Sequence, residues 1–147
     1  MEVAILDANS IMYCNVDILE KVLLLDPKSH STFVGYSDIR LISDTCQKTH
    51  DMELKKHIRQ VADLFDRCLG NEKFNLDELM EETEFAKSRI HCSNDDIVLY
   101  NISKHLQKSK VCLVSKDKFL RLGAMPYLNS GKLRLEKTLY DYLESSL

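Results

Sequence analysis

Three aspartates in this 147-residue chain stand where an acid can do more than face solvent. Asp7 ends the apolar run Val3-Ala4-Ile5-Leu6, and Asp117 follows the apolar run Val111-Cys112-Leu113-Val114 after a short polar turn. Asp95 lies in Ser93-Asn94-Asp95-Asp96, which reads as a helix start with Ser93 as its cap. Each acid has an ordinary explanation taken singly: Asp closes strands as a turn residue, and acids in a first helical turn complement the macrodipole. Brought together they repel, and one takes up a proton unless a cation neutralises the group. A hard divalent ion does so, since magnesium is held by few carboxylates and keeps several waters. Such ions polarise phosphoryl oxygens, acidify bound water and stabilise the entering and leaving oxygens of phosphodiester hydrolysis. A bound divalent cation is the economical explanation of such a group of acids.

These acids need elements to position them. A short apolar run bounded by polar residues reads as a strand buried on both faces, so both runs are expected at the centre of a sheet. Between them, Ile11, Met12, Ile18, Leu19, Val22 and Leu23 recur at helical spacing and predict one helix, closed by Asp26-Pro27. Thr32-Phe33-Val34 reads as a strand, and Ser37 as the cap of a helix through Ile39, Leu41, Ile42 and Cys46. Leu54, Ile58, Val61, Ala62, Phe65 and Leu69 predict a longer helix ended by Gly70. Leu76, Leu79, Met80, Phe85 and Ala86 predict another with an acidic outer face, and Ile97, Val98, Ile102 and Leu106 extend the helix begun at Ser93. Leu133 and Leu135 mark an edge strand, and Leu139, Tyr142 and Leu143 a closing helical turn or two. Helices alternating with short apolar strands imply a three-layer α/β/α fold around a central, mainly parallel sheet, whose sites lie beyond the carboxyl ends of the strands. The whole chain, residues 1–147, reads as a single domain with no repeat or linker.

Composition narrows the class. Hydrophobic residues make up 44% and charged residues 29%, with four Gly and two Pro, which is a globular and not a fibrous or disordered profile. The five cysteines form no CxxC pair, and buried, reduced thiols are the expectation. No stretch approaches the roughly 20 apolar residues needed to span a bilayer. Glu2 and Asp7 break the charged-then-apolar order of a signal peptide, so an intracellular location, nucleus or cytoplasm, is expected. A net charge of −3 argues against holding nucleic acid by bulk charge. The charge is uneven, however: residues 72–84 are acidic, whereas Lys104, Lys108, Lys110, Lys116, Lys118 and Arg121 cluster in the last third.

The text of three segments carries a resemblance. Ala4-Ile5-Leu6-Asp7-Ala8-Asn9 looks like the opening motif of PIN-domain nucleases, an apolar strand followed by Asp-x-Asn. Ser93-Asn94-Asp95-Asp96-Ile97-Val98 resembles the family's third motif, and Val114-Ser115-Lys116-Asp117-Lys118-Phe119-Leu120-Arg121 its fourth, with text similar to that of eukaryotic RNA-surveillance endonucleases. The resemblance implies a metal-dependent endoribonuclease acting on single-stranded RNA, with Asp7, Asp95 and Asp117 as metal ligands for magnesium or manganese. It implies that Asn9 and Ser115 orient those ligands and that Asp96 is an auxiliary acid. The family's second motif has a Glu that is missing here; Asp44 fits its register better than Asp38 and is expected as the fourth ligand. Lys116, Lys118 and Arg121 are candidates for phosphate contact, with a solvated loop as the ordinary reading of such charges. Other protein partners or a homo-oligomer are compatible with the family.

Other chemistries fit less well. An aspartyl-phosphate phosphatase needs a second Asp and a Thr where Asn9 and Ile11 stand, and a dinucleotide fold needs a glycine-rich turn where Ala8-Asn9-Ser10 stands. His91-Cys92 lacks the second pair that zinc binding requires. The rival from another class is a PIN-like scaffold that binds protein or RNA without turnover, since fold does not fix function.

Overall fold

The computed structural model describes residues 1–69 and 76–147, which leaves the Gly70 expectation outside the described residues. Among the described residues four strands, β1 (Glu2–Leu6), β2 (His30–Phe33), β3 (Lys110–Val114) and β4 (Leu133–Glu136), form one sheet in the order β2-β1-β3-β4 with every pairing parallel. The two apolar runs are its central strands because their side chains are buried on both faces. Alternate residues go to opposite sides. Ala4, Leu6, Cys112 and Val114 face one core with Leu19, Val22, Val61, Leu64, Tyr142 and Leu143. Val3, Ile5, Val111 and Leu113 face another with Val98, Ile102, Leu120 and Ala124. Fully burying one such side chain contributes about 1.5–3 kcal/mol, so both layers are tied to the sheet by many such terms.

The first layer contains α1 (Ala8–Met12), α2 (Val16–Leu23), α4 (Met52–Leu69) and α8 (Leu139–Ser146); the second contains α6 (Asn94–Leu106) and α7 (Lys118–Ala124). α3 (Tyr36–Lys48) packs on α1 and α4, and α5 (Leu76–Lys87) packs on α6 through the stacked rings of Phe85 and Tyr100, 4.3 Å apart. A 3-10 helix, Met125–Ser130, leads into β4. The result is the expected three-layer α/β/α arrangement, with a sheet that is parallel throughout.

Three local expectations are corrected. The single helix expected over Ile11–Leu23 is two, because the Asn15 side chain accepts from the Asp17 and Ile18 amides (2.9 and 3.2 Å) and starts a new helix. Ser37 does not cap α3: Gly35 occupies that position, and the amide of Tyr36 donates instead to Glu82 Oε1 at 3.2 Å. Glu82 also turns inward from the acidic face expected of α5, is 4% exposed, and accepts from Asn101 Nδ2 at 2.8 Å.

Candidate functional site

β1 and β3 pair in register, Leu6 opposite Val114, so the residues that follow them meet. This is also where the topology switches, since β1 leads to β2 on one side and β3 leads to β4 on the other. In open α/β sheets that crevice is the usual ligand position.

The crevice is built by short-range hydrogen bonds. Asp7 is the cap of α1: its Oδ1 accepts from the Ser10 amide at 2.8 Å, and its Oδ2 accepts from the Ser115 hydroxyl. The Ser115 oxygen in turn accepts from the Asp117 amide at 3.0 Å. Asp117 caps α7, accepting from the Phe119 and Leu120 amides at 2.9 and 3.2 Å. Ser10 adds a tie between the two strand ends by donating from its hydroxyl to the Val114 carbonyl at 2.8 Å. Both Asp7 and Ser115 are buried, which makes these bonds costly to break.

Asp95 comes from the opposite side, in the first turn of α6. That helix begins with a reciprocal capping box, in which Ser93 Oγ accepts from the Asp96 amide at 3.2 Å and Asp96 Oδ2 accepts from the Ser93 amide at 2.9 Å. Asp95 is left without such a duty. Its carboxyl is held above the ordinary range, first by burial and then by the charges of Asp117, Asp7 and Asp96. Asp95 therefore lies within the field of the other acids.

The acid of α3 that joins them is Asp38, not Asp44. Asp38 is 1% exposed; its Oδ1 accepts from the Ala8 amide at 3.1 Å and from Asn94 Nδ2 at 2.8 Å, tying α3 to the first turns of α1 and α6. Burial raises its pKa from an ordinary 3.8 to about 7 against the lowering effect of those two bonds, and the charges of Asp7 and Glu82 add to the rise. Asp44 lies six residues on, roughly 240° around the helix from Asp38, and is exposed. It lines an open groove of about 570 Å³ with Tyr36, Arg40, Lys87 and Asn94. Register counted from sequence alone favoured the wrong face of α3.

The other expected residues divide. Ser115 is hydrogen-bonded to both strand-end acids, donating from its hydroxyl to Asp7 and accepting from the Asp117 amide. Asn9 does not orient them: it is exposed, and Ser10 makes the bonds expected of it. Asp96 is a cap whose charge reaches Asp95. Lys116 and Lys118 are exposed at the mouth, whereas Arg121 donates to the Ser115 carbonyl at 3.0 Å and is partly committed to the fold. Asn94 and Ser10 join the site without a motif of their own; the only signal for them in the sequence is adjacency to a motif residue.

Among the described residues no group of three Asp, Glu, His or Cys side chains is placed to enclose a metal ion. What the crevice offers is carboxylates that keep lone pairs beyond their protein donors, with a mutual repulsion that a cation would relieve. That suits an ion held by one or two carboxylates with water completing its shell, and it narrows the expectation of three converging ligands.

The family model described as the PIN domain matches residues 4–127. No curated protein and no solved structure gives a match.

Proposed function

Because this chain belongs to the PIN-domain family, a nuclease-type fold, we propose that it is a metal-dependent endoribonuclease that cleaves single-stranded RNA. The observation that supports this reading is that Asp7 and Asp117 follow the paired ends of β1 and β3, and that their charges reach Asp95, whose carboxyl is held above the ordinary range first by burial and then by those charges. A magnesium or manganese ion bound there would polarise a phosphoryl oxygen and lower the pKa of a bound water. Asp7 and Asp117 are fixed as helix caps, so their carboxylates are held in position before substrate arrives. Asp95 faces them from α6, and Ser115 keeps Asp7 oriented by its hydroxyl. Asp38 positions α1 against α6 through Ala8 and Asn94. Lys116 and Lys118 are exposed beside the acids and would meet backbone phosphates. The RNA of nucleus or cytoplasm is the matching substrate class.

One observation favours a second reading, a PIN-like scaffold without turnover: no three described acids form a ready ligand group. A labelled, unstructured RNA incubated with Mn²⁺ or EDTA separates the two. The parent should cleave only with Mn²⁺, and Asp7→Asn and Asp117→Asn, which keep a capping oxygen, should lose cleavage while staying folded, Asp117→Asn melting like the parent and Asp7→Asn somewhat below it for the lost Ser115 bond. Equal cleavage by all three would remove the acids from the chemistry. A parent that neither cleaves nor gains melting temperature with Mn²⁺ would be the scaffold.

A further inference from the structure

Phe119 is 79% exposed, although it lies two residues from a site acid. Its amide donates to Asp117 Oδ1, so the root of the ring is fixed against the crevice. The ring contributes little to packing, because Leu120 and Ala124 are the residues through which α7 enters the core. Lys116 and Lys118 are exposed on either side of Asp117. The mouth of the crevice thus presents a flat apolar face beside two ammonium groups. Single-stranded nucleic acids are held by that combination, bases stacking on aromatic rings while cations meet the backbone.

We propose that Phe119 is a stacking platform for a nucleobase adjoining the phosphate at the acid site, with Lys116 and Lys118 on the flanking phosphates. This rests on the ribonuclease reading above. Leu122 and Met125 continue an exposed apolar stripe from Phe119 at three-residue steps, so a protein surface is the competing occupant. A stable protein interface engages roughly 20–30 residues a side around an apolar centre. Here the stripe starts against Lys116, Asp117 and Lys118, and its most exposed member is the one nearest the acids, which favours RNA.

The test compares two labelled 12-unit chains by fluorescence anisotropy with Mg²⁺ present: an alternating A and C oligoribonucleotide and a chain of stable abasic units. Cleavage is blocked by Asp7→Asn throughout. Phe119→Ala should weaken binding of the base-bearing chain about 5- to 150-fold, the range for losing one base–aromatic stack, and leave the abasic chain unaffected. Phe119→Trp should restore binding. Equal weakening on both chains, or none on either, overturns the proposal. So does a Phe119→Ala chain that keeps its RNA affinity but sediments as a smaller species, which assigns the face to a second copy. Melting within about 2 °C of the parent is expected for so exposed a side chain, and the Trp variant controls for folding. Cleavage by the chain with Asp7 intact reports separately on the ribonuclease reading. Cleavage without a Phe119 effect overturns the platform alone, and loss of both cleavage and RNA binding overturns both.

Discussion

At the scale of single residues, the most informative side chain is Asp38, a carboxyl that is nearly inaccessible and has no cationic partner among its bonds. Its pKa stands near 7 in the folded chain against an ordinary 3.8, so between those values the folded form holds a proton that the unfolded form releases. The sign follows from linkage: this residue's contribution to stability is greatest below about pH 4, declines as pH rises to about 7, and is constant beyond. Asp38→Asn keeps an oxygen for the Ala8 amide and for Asn94, and it removes the charge. In EDTA its melting temperature should exceed the parent's by on the order of 5 °C at pH 8 and match it near pH 4. A constant difference across that range would refute the linkage. Asp38 was visible in the sequence only as an alternative to Asp44, because an acid's burial depends on which face of α3 meets α1 and α6, and no local pattern encodes that. Asp7, Asp95 and Asp117 were legible because each sits at the boundary of an element, and boundaries are what apolar periodicity marks best.

Among elements, β1, β3 and the long α4 follow directly from uninterrupted apolar patterns. The break between α1 and α2 did not show because Ile11 and Ile18 are seven residues apart, about two helical turns, so the spacing stays in phase across it. The start of α3 was hidden for a different reason: its amide is satisfied from a distant helix. Gly35 is required there by space and not by dihedral angle, its φ being −65°. A Cβ on it would lie 2.9 Å from Glu82 Oε1 and 3.0 Å from Asn101 Nδ2, two groups already bonded to each other. Gly35→Ala should therefore cost about 1–3 kcal/mol, seen as a lower urea midpoint with an unchanged slope. An unaltered midpoint would mean that Glu82 moves aside freely.

For the molecule as a whole, one ionic network ties the sheet to α8 without using any of the site acids. Arg134 of β4 donates from Nε and Nη2 to Glu2 at the start of β1 (2.9 and 2.7 Å), bonds Ser145 and Ser146 of α8, and lies 5.1 Å from the centre of the Tyr142 ring. Its bond to Glu2 holds that carboxyl below the usual range, so the stabilisation is present above about pH 4.5 and is lost as pH falls. Arg134→Ala should lower stability by about 1–2 kcal/mol at pH 7 and by less at pH 3, with RNA cleavage per folded molecule unchanged. A fall in cleavage with no change in melting would contradict this separation. The acid end carries a different consequence. Asp7 and Asp117 each serve folding as helix caps, so selection for a stable chain would retain them in a lineage that had abandoned cleavage altogether. Asp95 accepts no hydrogen bond among the described residues, and its neighbours' charges make it unwelcome when ionised. Its one service to folding is the weak one of an acid in the first turn of α6, so keeping Asp95 would say more about a metal-binding role than keeping either strand-end aspartate.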